Sequence, residues 1–265
     1  MSVAKRAPGL RKRRPGPGSA CAFALLGLLS WATAARAADI AKQTTDFGGR
    51  SRSYYFYVPD TLPPDPAPLL VLLHGSGRDG HAITRLWKAD AERRGIILVA
   101  PNALDAGAWR LRDDGPDFIR AAIDAAAAAR SIDASRTYLF GQSGGAVHAL
   151  LLSMLESQYF AATAVHAGAW RKNVEYLALR YVKRSIPLAI VIGDRDEFFP
   201  MAAVHRTERA LKKTALPIEV HVIAGQHHWY NSDTAPQINT IAWGFLEDKK
   251  LDGAPVFSRY RMDAP

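Results

Sequence analysis

The sequence predicts an α/β fold in which a mostly parallel central sheet is covered by helices on both faces. Five short segments consist almost entirely of apolar residues, at positions 69–73, 96–100, 137–140, 188–192 and 218–223. Strands that are buried on both faces of a sheet have this composition. Helix-forming stretches separate the five segments, and such alternation is typical of parallel strands.

Local signals predict the remaining elements. Two strands, at 40–45 and 52–58, precede the apolar segments, and the run Phe47-Gly48-Gly49-Arg50 between them predicts a hairpin turn. A helix is expected directly after residue 143. Proline near the start of three further stretches predicts helices over 116–129, 200–214 and 236–246.

The N-terminal 37 residues have the features of an export signal. The basic run Arg11-Lys12-Arg13-Arg14 precedes an uncharged stretch at 20–35 and the small-residue pattern Ala35-Arg36-Ala37. A retained membrane anchor is the alternative, but the uncharged stretch is shorter than the roughly 20 apolar residues that span a bilayer. We expect cleavage near Ala37, a single domain over 38–265, and a secreted or periplasmic protein without stable membrane association.

Charge and cysteine content narrow the function classes. Seven of the 34 basic residues and none of the 25 acidic ones lie in the leader, so the remaining chain carries a net charge of only +2. Nucleic-acid binding, which a strongly basic surface would favour, is therefore not expected. Cys21 is the only cysteine and lies in the leader, so the mature chain cannot form an internal disulfide.

The run Gly141-Gln142-Ser143-Gly144-Gly145 follows a predicted strand and precedes a predicted helix. It fits the pattern G-x-S-x-G, in which small residues allow a sharp strand-to-helix turn that presents the serine hydroxyl. The amide groups at the start of the new helix face developing negative charge. We therefore interpret Ser143 as a nucleophile.

An earlier turn offers a partner for this site. The sequence His74-Gly75-Ser76-Gly77 follows the apolar segment at 69–73. Its backbone, through Ser76, and that of Gly144 are predicted to donate the two hydrogen bonds of an oxyanion hole. We interpret His74 itself as a hydrogen-bonded turn residue rather than a base.

Candidates for the acid and the base lie beyond the last two apolar segments. Asp194, Asp196 and Glu197 follow one of them, and the pair His227-His228 follows the other. The order serine, acid, histidine along the chain is the one that accompanies a G-x-S-x-G turn of this kind. We interpret Asp194 as a turn former. Only one of two adjacent histidines can reach Ser143, and no third ligand stands at a spacing that predicts a metal site.

These segments together resemble the polyhydroxybutyrate depolymerase and feruloyl esterase group of the α/β-hydrolase superfamily. The resemblance covers most of the mature chain. Residues 52–59 resemble the group's opening strand, Leu73-His74-Gly75 its oxyanion turn, 113–119 its helix entry and 141–145 its nucleophile turn.

The resemblance also chooses between the open candidates. The group's acid lies three residues after a glycine and four before a proline, as Asp196 does between Gly193 and Pro200. Depolymerase-like members carry His-x-Trp, which would select His227. Esterase-like members carry His-x-Tyr with a downstream segment like 235–246, and this longer match selects His228 as the base.

The sequence therefore predicts an exported serine esterase that needs no cofactor. Its substrate is expected to be a small-molecule or polymer carboxylic ester, of the feruloyl, acetyl or polyhydroxyalkanoate type. A peptidase on the same fold and a non-catalytic binding protein are the alternatives. About twenty residues separate 165–169 from the segment at 188, which leaves room for only a minimal lid. Five aromatic residues are candidates for substrate contact, although packing in the core or at its rim is the favoured interpretation of each: Trp109, Trp170, Phe198, Phe199 and Trp229.

Overall fold

The computed structural model describes residues 39–62 and 66–258. The predicted export signal, with Cys21 and the expected cleavage point at Ala37, lies outside the described residues. Within them, no helix combines the length and the apolar composition that crossing a membrane requires.

Eight strands of the described chain form one sheet. Their bounds are β1 Ala41–Phe47, β2 Arg50–Tyr57, β3 Ala67–Leu73, β4 Ile97–Pro101, β5 Ile132–Gln142, β6 Thr163–His166, β7 Leu188–Gly193 and β8 Ile218–Ile223. The order across the sheet is β1-β2-β4-β3-β5-β6-β7-β8. Strands β3 to β8 run parallel, whereas β2 is antiparallel to both β1 and β4. Strand β8 lies at one edge of this sheet, beside β7.

Six α-helices and one 3-10 helix of the described chain connect and cover the strands. They are α1 Gly80–Arg94, α2 Leu111–Asp114, α3 Pro116–Ala129, α4 Gly144–Leu155, the 3-10 helix Asn173–Tyr181, α5 Met201–Lys213 and α6 Ala235–Leu246. Proline stands at or beside the start of α3, α5 and α6, as predicted.

The core lies in two apolar layers, one on each face of the sheet. In β3 the side chains alternate between them: Leu69 and Val71 join the layer that contains Phe118 of α3, and Leu70 joins the layer that contains Trp87 of α1. All residues of β3 are buried because both faces are covered. The predicted α/β-hydrolase fold, with a mostly parallel sheet and helices on both faces, is confirmed.

The largest differences between the predicted and the observed strands lie at β5 and β6. Strand β5 begins at Ile132, five residues before the predicted segment, because its first part pairs with Ala67 before a register shift. Strand β6 was not predicted; it has only four residues and contains Thr163 and His166, so its apolar signal is weak. Both strands lie in the centre of the sheet and lead into loops at its carboxyl edge.

Candidate active site

Ser143 occupies the sharp turn between β5 and α4. Its backbone has φ 55° and ψ −116°, a conformation that costs free energy for a residue with a side chain. Close packing imposes the turn, because a Cβ atom on Gly145 would lie 2.1 Å from the carbonyl oxygen of Leu73. The Ser143 amide donates to the carbonyl of His166, at 3.0 Å. The turn thus projects the hydroxyl from the carboxyl edge of the sheet.

His228 lies between Ser143 and Asp196. Its Nε2 atom is 2.9 Å from Ser143 Oγ, and its Nδ1 atom is 2.9 Å from Asp196 Oδ2 and 3.1 Å from Oδ1. An ionised carboxylate only accepts hydrogen bonds, so Nδ1 donates to it and Nε2 is left to accept the serine proton. The side chains of His228 and Asp196 are 7% and 1% exposed, which keeps this contact largely free of solvent competition.

Asp196 is held as a carboxylate. Burial raises its pKa, but hydrogen bonds from His228 and from the amides of Phe199 and Phe198 outweigh burial, so the pKa lies below its ordinary value. The two amides contact Oδ1 at 2.8 and 2.9 Å. A negative charge is therefore fixed beside the imidazole, where it would stabilise the imidazolium.

The other acid and base candidates pair with different groups. His227 has a half-exposed side chain, and its Nδ1 atom lies 2.6 Å from Glu197 Oε1. Glu197 Oε2 also accepts from the amide of His228, at 3.3 Å. Asp194 accepts the amide of Gly225 at 2.7 Å. These contacts brace the loop after β7 against the loop after β8.

Ser76 and Gly144, the residues whose amides are the predicted oxyanion donors, lie next to each other. A Cβ atom built on Gly144 would be 3.5 Å from the amide nitrogen of Ser76 and 2.6 Å from its Oγ atom. Within residues 39–62 and 66–258, neither amide is paired with a protein acceptor. The backbone therefore offers two free N–H groups beside Ser143.

His74 is a buried turn residue. Its Nδ1 atom donates to the carbonyl of Gly75 at 2.9 Å, and its Nε2 atom accepts the amide of Ala103 at 3.1 Å. Burial lowers the pKa of His74. Because both ring nitrogens are hydrogen-bonded to the backbone, His74 stabilises the turn and has no nitrogen left to accept a proton from Ser143.

His166 was missed by the sequence analysis. It is fully buried at the end of β6, and neither ring nitrogen has a hydrogen-bond partner in the described part of the chain. Burial and the nearby His228 lower its pKa to about 3, so the ring is neutral. Its carbonyl anchors the amide of Ser143. The sequence held no signal for this role because a main-chain contact carries it.

A cleft of about 280 Å³ opens beside Ser143 and His228. Its walls come from the turn after β3, the start of α1 and the loop at 229–232. Arg78 and Arg85 line it, and none of the described carboxylates does. Among the described residues, no group of three His, Cys, Asp or Glu side chains is arranged to hold a metal ion.

The five aromatic candidates divide into three kinds. Trp229 lines the cleft, and Phe198, half-exposed, packs against His228 with ring centroids 4.6 Å apart. Trp170 and Phe199 are buried in the core and do not line the cleft, in line with the packing role that the sequence favoured for them. Trp109 is held beside the His74 ring, at 4.8 Å.

Comparison with known proteins gives a family match. Residues 100–247, more than half of the chain, match the family model described as dienelactone hydrolase. Feruloyl esterase B of Neurospora crassa is 31% identical over 159 residues, which are 54% of this chain and 53% of that protein. The chain spans about half the length of the curated relatives it matches.

Solved structures share the fold at low sequence identity. A mutant of the feruloyl esterase module from Clostridium thermocellum, complexed with sinapinate, superposes with a TM-score of 0.65 at 16% identity, over 86% of this chain and 92% of that one. A fluorophosphonate-binding serine hydrolase of Staphylococcus aureus gives a TM-score of 0.65 at 14% identity, over 78% and 98% of the two chains.

Proposed function

We propose that this chain, which belongs to the dienelactone hydrolase family within the α/β-hydrolase superfamily, is a serine hydrolase of carboxylic esters. The observation that carries the proposal is the continuous contact from Ser143 Oγ through the His228 ring to the Asp196 carboxylate. Both curated relatives have esterase names, which supports the same class of substrate.

The first half of the proposed reaction forms an acyl-enzyme. His228 Nε2 takes the proton of Ser143 Oγ while the oxygen attacks the ester carbonyl carbon. The new C–O bond pushes the carbonyl electron pair onto oxygen, and the amides of Ser76 and Gly144 donate to that oxyanion. When the oxyanion's electron pair re-forms the C=O bond, the bond between the carbonyl carbon and the alcohol oxygen breaks. His228 then gives the departing alcohol the proton that it took from Ser143.

The second half releases the acid. Water enters beside His228 and loses a proton to Nε2 as it attacks the acyl carbon, and collapse of the second oxyanion returns the proton to Ser143. Asp196 keeps the ring in the required tautomer throughout and stabilises its charged form. Each oxyanion donor is worth roughly 3 to 4 kcal/mol in reactions of this kind.

The shape of the cleft supports a small or exposed ester. The connection from β6 to β7 carries only the 3-10 helix Asn173–Tyr181, so no large lid built from the described residues covers Ser143. The proposed substrate is a feruloyl, acetyl or hydroxyalkanoate ester. The proposed mature protein is a single domain over 38–265, exported to the periplasm or beyond by the leader at 1–37.

The decisive experiment compares Ser143→Ala with Ser232→Ala, a serine that lines the same cleft. Purified proteins are assayed with p-nitrophenyl acetate and butyrate and labelled with a fluorophosphonate. We expect Ser143→Ala to lose at least about 10³-fold in kcat and all labelling, and Ser232→Ala to keep both.

Two results would redirect or reject the proposal. Full ester turnover by Ser143→Ala would reject Ser143 as nucleophile. Ser143-dependent cleavage of aminoacyl p-nitroanilides, with no cleavage of esters, would instead identify a peptidase.

A further inference from the structure

We propose that Arg52, Asp114 and Trp109 are positioning residues that hold the oxyanion turn, residues 74–77, against the nucleophile turn. The inference rests on the proposed esterase function. It assigns a purpose to two sequence segments, 52–59 and 113–119, that supply none of the reacting groups.

The two segments meet in a buried ion pair. Arg52 Nη2 lies 2.6 Å from Asp114 Oδ1, and the two side chains are 6% and 1% exposed. The guanidinium also donates to the carbonyls of Asp113 and Asn102 and lies 3.7 Å from the centre of the Phe118 ring. Removing either charge would leave the other buried and uncompensated, so the pair is a rigid anchor.

Asp114 holds both ends of the 103–110 loop. Its Oδ1 atom accepts the amide of Leu104 at 2.8 Å, and its Oδ2 atom accepts the amide of Arg110 at 2.9 Å. Because both oxygens are used, the carboxylate fixes the loop at its two ends and not through a single contact.

The 103–110 loop in turn contacts the oxyanion turn at three points. Trp109 Nε1 donates to the carbonyl of His74 at 2.8 Å, and the amide of Ala103 donates to the His74 ring. The amide of Gly77 donates to the carbonyl of Ala106, at 2.8 Å. These contacts bracket Ser76, whose amide is one of the proposed oxyanion donors.

The same network reaches the helix that carries the second donor. The Trp109 ring stacks on His148 of α4, with centroids 5.1 Å apart and planes at 21°. His148 Nε2 donates to the carbonyl of Asp114 at 2.8 Å. Helix α4 begins at Gly144, so one set of contacts ties both oxyanion donors to a common support.

The chemistry makes such a support necessary. A backbone donor has no side chain to adjust, so its position is set entirely by what packs against its turn. The oxyanion exists only after attack, and a displaced donor therefore weakens the transition state more than the bound ester. Loss of positioning should lower kcat and leave KM nearly unchanged.

The test uses Trp109→Phe, which keeps an aromatic ring between His74 and His148 but removes the N–H donor together with part of the indole ring. With a p-nitrophenyl ester we expect kcat to fall about tenfold and KM to change by less than about twofold. A trifluoromethyl ketone, which forms an oxyanion with the nucleophile, should bind more weakly by the same factor as the fall in kcat/KM.

Trp243→Phe is the matched control. Trp243 is buried in the opposite layer, against Tyr138, so its variant reports the cost of lost packing without a change at the turn. Asp114→Asn, which removes the charge at the anchor, is expected to lower kcat more than Trp109→Phe.

The outcomes separate this inference from the proposed function. Unchanged kcat and unchanged ketone affinity in Trp109→Phe would overturn the positioning role while the esterase assignment stands. The positioning role would also be overturned if kcat fell equally in Trp109→Phe and Trp243→Phe, and if each fall equalled the decrease in the fraction of folded protein. Absence of Ser143-dependent hydrolysis in the parent protein would overturn both proposals.

Discussion

The side chain of His227 pairs with that of Glu197 at 2.6 Å and joins the loop after β8 to the loop after β7. The neighbouring residues of the same two loops, His228 and Asp196, form a second contact on the inner side. Consecutive residues in each loop thus make parallel contacts, one half-exposed and one buried. The outer pair braces the loops, and the inner pair lies in contact with Ser143. The two contacts lead to different expectations for neighbouring substitutions.

Replacing His228 with alanine should lower kcat for a p-nitrophenyl ester by at least about 10³-fold, because the base in contact with Ser143 Oγ is lost. Replacing His227 with alanine should lower it by less than about tenfold, since only the outer contact is lost. Steady-state kinetics of the two variants checks both. A larger loss in the His227 variant would reverse the assignment.

Asp196→Asn should lower kcat by about 10⁴-fold, because an amide in place of the carboxylate favours the wrong tautomer of His228. Asp194→Asn, which alters a loop contact to Gly225, serves as its control. Steady-state kinetics with the same p-nitrophenyl ester measures both, and an equal loss in the two variants would contradict the choice of Asp196.

The pKa of Asp196 is depressed, so its contribution to stability is present above the unfolded pKa and is lost as the pH falls through the folded one. Acid unfolding of the asparagine variant should accordingly show a weaker dependence on pH below about 4 than the parent protein. Identical acid unfolding curves would contradict the depressed pKa.

Gly145→Ala should destabilise the fold, because the new Cβ atom would lie 2.1 Å from the carbonyl oxygen of Leu73 and strand β3 would have to shift. We expect a loss of about 2 kcal/mol or more in urea unfolding. Gly244→Ala is the matched substitution. Gly244 lies within helix α6, and a Cβ atom built on it meets nothing within 4 Å beyond the adjacent backbone of that helix. The alanine should therefore stabilise the protein by about 0.5 to 1 kcal/mol. Equal effects of the two alanines would contradict the close packing of the nucleophile turn.

Glu156, which lies outside the candidate active site, should make the folding stability depend on pH. Burial raises its pKa to about 7, although the amide of Ser258 and the charge of Lys183 oppose this. The folded state therefore holds a proton that the unfolded state releases above the ordinary glutamate value of 4.5. The stabilisation is complete below that pH and is lost as the pH rises through 7.

Glu156→Gln should remove this dependence. Between pH 4.5 and pH 8, the unfolding free energy of the parent should fall relative to the variant by on the order of 2 kcal/mol. Urea unfolding at the two pH values measures the difference. Glu219→Gln, at an exposed carboxylate, should leave the parent's dependence unchanged. The same profile for Glu156→Gln and the parent would contradict the raised pKa.

The fold was predictable where sequence pattern and burial coincide. Strands such as β3 and β7 are buried on both faces, so every position favours an apolar residue and the run is continuous. The fold class and the resemblance to the esterase group are confirmed. Strand β6 was not predicted because it has only four residues and two of them, Thr163 and His166, are polar although buried. The apolar run is therefore too short to indicate a strand.

The site was predictable only in part. The motif at 141–145 indicates its own turn, because the close packing is local. The choice of Asp196 and His228 came from the resemblance, since the residues alone left the neighbouring candidates open. Their catalytic roles stay predictions. The Arg52–Asp114 pair joins positions 62 apart in sequence, and no local pattern encodes such a contact.

Strand β8, at the margin of the sheet, carries the segment that leads to His228. A marginal strand has one row of backbone partners, so it opens at a smaller free-energy cost than the central strands. Mild heating or dilute urea would therefore abolish hydrolytic activity while circular dichroism still reports a folded core. The temperature or urea concentration at which half the activity is lost would then lie below the midpoint of global unfolding. Substitutions that stabilise β8 against β7 should therefore lengthen the half-life of activity.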